Sequence, residues 1–427
     1  MRPIQDFNLK QKDTVKWLER MGRPDRGPLF IHLAGTNGKG STGRFLAASL
    51  EALTGLSVGH FLSPHVHQYN ERILLGGEMI SDEKLFSIRE RMDQLKEDFS
   101  LPSLTYFQRS FLEAMEAFKD LKIAVIECGV GGREDVTNIL EGQAAVISRI
   151  GMDHMNVLGE TIEEIAGHKA GILTKNRPLI SSDQEEPVRE ILTREAKRKN
   201  SPAFFLDPAW LSRPVLCPSD SSGSPPKMTF SYTHGWLSGD YESRLLGLNQ
   251  TQNLGTALLA LEALADPQRS LSPKIKALLP PSLVRKERKA LIQECLKEVY
   301  LPGRLEILRE SPIILIDGAH NDPAIRTLIA NLHWFGLDGR IYPRPALIFG
   351  MHEGKIPPKT QGMLFQEMDQ VYWVEVEGKS DRERTEEVEK ALFQALKEKP
   401  ERPVLLCGSL YLLDGARTFL LKQKAFS

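Results

Sequence analysis

The chain has 427 residues, with 55 lysines and arginines against 56 acids, and a net charge of −1 at pH 7. That balance excludes a global field that would draw it to nucleic acid or to an anionic membrane, and no stretch reaches the roughly 18 apolar residues of a membrane span. At 41% hydrophobic and 26% charged, the composition is that of a soluble globular protein, too long for one ordinary core, so two or three domains are expected. The four cysteines, Cys128, Cys217, Cys295 and Cys407, form no CxxC pair and no disulfide framework. Such usage fits a reducing, cytoplasmic setting. The opening MRPIQDFNLKQKDTVKW is charged and lacks the apolar core of a signal peptide.

Leu9, Val15, Leu18 and Met21 are spaced as one face of a short amphipathic helix over 8–21. The apolar run Leu29–Leu33, interrupted only by His32, reads as a strand. Gly35, Gly38 and Gly40 follow within six residues, then Ser41, Thr42 and a helix ending near Leu53. Glycines let backbone N–H groups turn inward, and a helix N-terminus favours an anion. Lys39 adds a flexible cation there, so the segment has the chemistry of a phosphate loop, with Gly40 between the lysine and the hydroxyls as a departure from the general spacing. A glycine-rich βα turn with a surface lysine is the plainer alternative.

Residues 57–61 read as a second strand, and SPHVHQYNERI (63–73) as a polar loop leaving it. Helices are expected over 81–97, where Ser81 caps without a capping box, and over 106–120. IAVIE (123–127) and AAVIS (144–148) are apolar strands. Strands alternating with helices imply a mostly parallel sheet with crossovers. A helix over 161–171, a strand over 178–181 and a charged helix over 187–200 continue the pattern. The Pro-, Ser- and Gly-rich 207–227 reads as a surface loop, and MTFSYTHGWLSGDYESRLLG as a hairpin. A buried helix over 249–265 and a charged one over 285–299 lead to LPGR (301–304), where a domain boundary is expected. Beyond it the alternation restarts, with strands at 312–317, 345–350, 370–376 and 404–409 and helices over 324–335 and 384–398.

Several strand-end residues can carry chemistry. Glu127 ends one strand and His154 follows the next, where open α/β sheets place ligands, and Glu127 offers the hard oxygen that magnesium prefers. Asp317, His320 and Asn321 of DGAHN cluster past another strand. Arg304 follows a Pro-Gly turn from which a guanidinium reaches either domain. Lys169, by composition, is an ordinary helix lysine, and each lone strand-end residue has a structural alternative.

Taken together, HLAGTNGKGST (32–42), FLSPHVHQYNERI (61–73), ECGVGGREDVTN (127–138), GMDHMNVLG (151–159), GHKAGIL (167–173), LPGRLE (301–306), IDGAHN (316–321) and CGSLYLL (407–413) resemble, in order and spacing, the folylpolyglutamate synthase / dihydrofolate synthase family of the Mur ligase superfamily. The similarity covers nearly the whole chain. It implies an α/β fold with an N-terminal phosphate-loop, Mur ligase-type ATPase domain over 1–299 and a smaller C-terminal Rossmann-like domain over 300–427. It implies an ATP-dependent ligase: ATP phosphorylates a carboxylate of dihydropteroate or of a reduced folate, and the amine of L-glutamate displaces the phosphate. By the same resemblance, Gly35, Thr36, Asn37, Gly38, Lys39, Gly40, Ser41, Thr42 and Asn253 hold the nucleotide, and Arg304 and Asp317 face it. Ser63, Glu127 and His154 serve two magnesium ions, together with a carbamylated Lys169, and His320 lies near the transferring phosphate or the incoming glutamate. Small-molecule substrates are the expected partners, with no nucleic acid and no membrane, and a monomer the expected form.

Gln108, Asn249 and Asp322 stand where the family often has glutamate, histidine and proline. The alternative reading is another Mur-type ligase acting on a cell-wall precursor, which SPHVHQYNER and GTNGKGS weigh against. A nucleotide-dependent binding module without ligase chemistry would leave Glu127, His154, Lys169 and DGAHN without purpose.

Overall fold

The computed structural model describes residues 8–219, 225–266, 270–351 and 356–424. In chain order the first strands are β1 (Leu29–Ala34), β2 (Val58–Phe61), β3 (Ile73–Leu75), β4 (Glu78–Met79), β5 (Ile123–Glu127), β6 (Gly142–Ile147), β7 (Leu179–Ser181) and β8 (Ala203–Phe205). They form one sheet in the order β4-β3-β2-β5-β1-β6-β7-β8. All neighbours from β2 to β8 are parallel, and antiparallel pairs attach β3 and β4 at one edge. The helices of this half are α1 (Leu9–Arg20), α2 (Lys39–Thr54), α3 (Asp82–Phe99), α4 (Tyr106–Phe118), α5 (Met155–Leu158), α6 (Ile162–Lys169) and α7 (Glu186–Arg198).

Covering helices explain why the central strands are buried on both faces, as near-continuous apolar runs broken by a few buried polar residues such as His32 and Gln143, rather than alternating. Ile31 and Leu33 of β1 pack with Phe45, Leu46 and Leu50 of α2, whereas Phe30 packs with Leu112 and Met115 of α4. Behind α2 lie α8 (Leu248–Ala265), the short α9 (Pro273–Lys276) and α10 (Arg285–Leu296). A three-stranded antiparallel sheet joins the same core: β9 (Val215–Cys217), β10 (Lys227–Tyr232) and β11 (Gly239–Ser243). The expected hairpin is therefore three-stranded. Val215, directly after Pro214 in a stretch read as loop, begins a strand because its backbone pairs with Thr229. Residues 220–224 of that loop lie outside the described residues.

The third sheet follows the Pro-Gly turn: β12 (Glu306–Glu310), β13 (Ile313–Asp317), β14 (Ala346–Gly350), β15 (Gln370–Trp373) and β16 (Val404–Gly408), in the order β12-β13-β16-β14-β15. Only the β12–β13 pair is antiparallel. One face carries α11 (Asp322–Phe335) and α12 (Pro358–Gln366), and the other α13 (Asp381–Glu398) and α14 (Leu410–Lys424). The molecule is thus α/β, with two sheets covered by helices. Neither β12 nor α14 is expected from the sequence. The core is continuous between the halves, since Leu254 and Leu258 of α8 share a cluster with Leu328 and Leu332 of α11. Among the described residues no helix is long and apolar enough to cross a membrane.

Candidate active site

The ends of β1, β5, β6 and β13 open on one cavity of about 1420 Å³. A single small-molecule site usually occupies roughly 300–1,000 Å³, so there is room for more than one ligand. At its centre is the β1–α2 loop. Gly38 precedes α2 in the left-handed region, φ 88°. A Cβ there would also lie 2.2 Å from Asn253 Oδ1. Conformation and contact together demand glycine, and glycine brings no side chain to cap the helix. The first N–H groups of α2 are left facing the cavity, which is an anion site. The loop is braced from the segment after β6: the Thr36 amide donates to the Arg149 carbonyl at 3.0 Å, and the Thr36 hydroxyl to the Gly151 carbonyl at 2.9 Å.

Lys39 Nζ donates to the Gly35 and Thr36 carbonyls, each at 3.3 Å, and stands 3.7 Å from Glu127 Oε1. Burial pushes the Glu127 carboxyl up, while the Lys39 and Arg304 cations and the Ser63 amide pull against it. Lys169 arrives from α6. Its amine, buried behind the loop, donates to the Gly35 carbonyl at 2.8 Å. Burial, then the Lys39 cation, lowers its pKa to about 7. His154 lines the cavity with a left-handed backbone, φ 50°, and Asp153 Oδ1 accepts its amide at 2.9 Å.

Across the cavity, Asp317 ties the Pro-Gly turn to β13: its carboxylate accepts the Leu305 amide at 2.8 Å and the Ala319 amide at 2.9 Å. Burial raises its pKa, and the Arg304 cation and those two amides oppose the rise. His320 Nδ1 donates to the Gly318 carbonyl at 2.7 Å, which makes Nε2 the acceptor nitrogen of the neutral ring. Asn321 caps α11 and reaches back to the phosphate loop. Asn253 donates to Gln250 Oε1 at 2.9 Å.

Thr36 to Ser41, Ser63, Glu127, His154, Asn253, Arg304, Asp317 and His320 all line the cavity. Gly35, Thr42 and Lys169 are not among the lining residues. Gly35 and Thr42 are held behind the loop by packing, and Lys169 by its bond to Gly35. Asp153 also lines the cavity, and an acid directly before His154 is the signal in the sequence that points to it. Of the departures, Gln108 lies outside the cavity. Its side chain shares a capping box with Thr105 and donates to the Lys10 carbonyl at 3.0 Å and to Thr14 Oγ1 at 3.3 Å. A glutamate would lose those donors, so Gln108 is a strut between α1 and α4. Asn249 and Asp322 do line the cavity, and Asn249 Oδ1 accepts from Asn331 of α11 at 3.3 Å.

Among the described residues, no three His, Cys, Asp or Glu side chains gather as a metal cluster. Magnesium is commonly held by one or two carboxylates with phosphate oxygens and water, and the Glu127 carboxylate beside an anion-binding loop suits that demand. The Ser63 hydroxyl is a second hard oxygen in the same lining.

Known proteins resemble this arrangement. Residues 33–261 match the Mur ligase middle domain. The dihydrofolate synthase/folylpolyglutamate synthase of Bacillus subtilis is 33% identical over 319 residues, covering 73% of this chain and 69% of the relative. An FPGS–AMPPCP–folate complex superposes with a TM-score of 0.76 at 27% identity, over 98% of this chain and 97% of that one. Escherichia coli FolC in complex with DHPP and ADP gives 0.75 at 26% identity, over 98% and 94%.

Proposed function

The chain belongs to the folylpolyglutamate synthase / dihydrofolate synthase family of Mur ligases, and from that premise we propose how its residues carry out ligation. It is an ATP-dependent ligase that joins L-glutamate to folates. The observation that supports the assignment of parts is the uncapped α2 N-terminus with Lys39 beside buried Glu127, facing Asp317 and His320 across one cavity.

ATP is bound with its phosphates on the α2 amides and Lys39, and Asn253 supports the loop at Gly38. An acceptor carboxylate oxygen attacks the γ-phosphorus, the bond to ADP breaks, and an acyl phosphate forms. The amine of L-glutamate then attacks the acyl carbon, loses a proton, and inorganic phosphate leaves. Negative charge builds between two polyanions in the first step, so fixed cations are the main lever on its rate. Lys39 and Arg304 supply them. His320, held in one tautomer by Gly318, serves the transferring phosphate or the incoming amine. Glu127, Ser63 and His154 would hold magnesium, which neutralises phosphate charge when bound.

We place the division of labour at residue 300, with the nucleotide loop before it and the Asp317–His320 loop after it. Lys169 is assigned as the carbamylated ligand: carbon dioxide adds to a neutral amine, and a pKa near 7 supplies that form where an ordinary lysine would not. Both dihydropteroate and reduced folate tails are assigned as acceptors, because the activation chemistry is shared. The test offers each acceptor separately with ATP and labelled glutamate. Amide formation with both is expected. Product from one alone makes the enzyme single-function, and ATP consumption without acceptor or glutamate overturns the ligase assignment for these residues.

A further inference from the structure

Asn321 makes more contacts than its place at a helix start requires. It is the N-cap residue of α11, and its Oδ1 accepts the Ala324 amide at 3.0 Å. The same oxygen accepts Asn37 Nδ2 at 3.1 Å, and Asn321 Nδ2 donates to Asn37 Oδ1 at 3.2 Å and to Asp153 Oδ2 at 2.9 Å. A side-chain amide has two donor hydrogens and two acceptor lone pairs, and here all are used within the protein. The residue is 3% exposed, so each unmet contact would be costly. Capping explains only the first of these bonds. Serine, threonine or aspartate would cap α11 about as well.

The other bonds join three separate parts of the site. Asn37 lies in the phosphate loop. Asp153 belongs to the loop after β6, where its other oxygen accepts the amide of the left-handed His154. Asn321 follows His320 directly and begins the helix whose sheet carries Asp317. One amide therefore ties the loop of His320 to the nucleotide loop and to the His154 loop. We infer that Asn321 is a positioning residue for ligation: with Asn37 and Asp153 as its partners, it sets the register of the His320 loop against the phosphate loop. The amine of glutamate and the phosphorylated carboxylate must come within about 3–3.5 Å to react, and a misplacement of about 1 Å costs on the order of 100-fold. The role in ligation rests on the function proposed above; the contact itself does not.

The test replaces the clasp while keeping the cap. N321S retains an oxygen for the Ala324 amide but cannot reach both partners. Its melting temperature is expected to fall by no more than a few degrees, the cap being kept while the bonds to Asn37 and Asp153 are lost. Its turnover is expected to fall about 10- to 100-fold at saturating substrates. Its affinity for the non-hydrolysable ATP analogue AMPPCP, measured by calorimetry, is expected to fall severalfold. N321D also caps but sets a carboxylate against Asp153, and is expected to lose more. Pairing N321D with D153N returns a donor opposite an acceptor and should recover part of the loss. Wild-type turnover and analogue affinity in N321S would show that Asn321 is a cap and nothing more. Should N321S fail to fold, the exchange decides: no recovery in N321D with D153N overturns the clasp. The analogue affinity is read without any folate, so it tests the clasp even if the wild-type protein ligates glutamate to no acceptor offered.

Discussion

Two helices point their N-termini into the same cavity, and they are built in opposite ways. Helix α2 starts after Gly38, which has no side chain to offer, and its first turn contains no acid. Helix α11 starts after Asn321, whose oxygen takes the Ala324 amide, and its first turn carries Asp322. Both dipoles favour an anion, but only α2 leaves its amides for one. Asp322 already supplies α11 with negative charge, held below the usual carboxylate range by its bond to Arg326 and then by Thr360 against opposing burial. The contrast teaches which of the two ends is free to take an anion and which is already satisfied by its own side chains. A strand followed by a helix is not enough; the residue at the cap decides.

The largest break in this contrast is Lys39→Ala. It removes the cation that stands over the α2 terminus and 3.7 Å from Glu127. Loss of one fixed charge-stabilising group costs on the order of 10²–10³ in turnover, and here the group also binds the substrate. Glutamate ligation should fall by at least about 10³, with the melting temperature little changed because a cavity-facing lysine contributes little packing. Near-normal turnover would detach the α2 terminus from the reaction.

Lys169 tests the back of the same terminus. Two lysines share the Gly35 carbonyl, at 2.8 Å from Lys169 and 3.3 Å from Lys39. Burial and then that neighbour depress the Lys169 pKa to about 7. Since only the neutral amine takes up carbon dioxide, the fraction able to react rises as pH climbs through 7. Lys169→Arg keeps the positive charge at every accessible pH and should lose most turnover, on the order of 100-fold. Lys169→Ala should lose as much, and acetate or formate should restore part of it by filling the vacated space with an anion. An arginine variant working at the wild-type rate returns Lys169 to a purely structural bond with the loop.

How legible each terminus is in the sequence follows from the same contrast. The α2 terminus stands out because three glycines in six residues are rare and the phosphate chemistry needs them adjacent in the chain. Strands β1, β5 and β6 are equally plain, since burial on both faces makes them apolar runs. The α11 terminus shows only as a cluster of polar residues past a strand. Its bonds to Asn37 span 284 residues, and no local pattern encodes a contact at that distance. The bond from Asn321 to Asp153 is hidden for that reason too, although the acid itself stands beside His154 in the chain. Gln108 shows the opposite hazard. Viewed along the chain it is a departure at a substrate pocket, yet in the fold its amide bridges α1 and α4. Helix α14 escapes notice because its first turn, Leu410 to Leu413, is a short apolar stretch, which periodicity alone cannot assign to helix or strand.

The smallest expected effect comes from the acid that distinguishes α11. Asp322 accepts Arg326 Nε at 2.9 Å and is hydrogen-bonded by Thr360, with about 29% of its side chain exposed. Its folded pKa lies below the ordinary carboxylate value of 3.8. A group depressed in the folded state contributes stability above its unfolded pKa and loses it as pH falls through the folded one. Asp322→Asn should therefore be less stable than wild type by a constant amount from about pH 5 to 8, and the gap should close below about pH 4. Partial exposure and solvent screening keep the gap within about 1 kcal/mol, the usual size of an acid at a helix N-terminus. The same change removes a negative charge from the cavity wall, so the KM for ATP should move downward, and by less than about threefold. Chemical denaturation of both proteins across that pH range, with ATP titrations at pH 7.5, measures both effects. A large rise in the KM for ATP would mean that Asp322 contacts the nucleotide, and that the division between a phosphate-binding terminus and a capped one is drawn at the wrong helix.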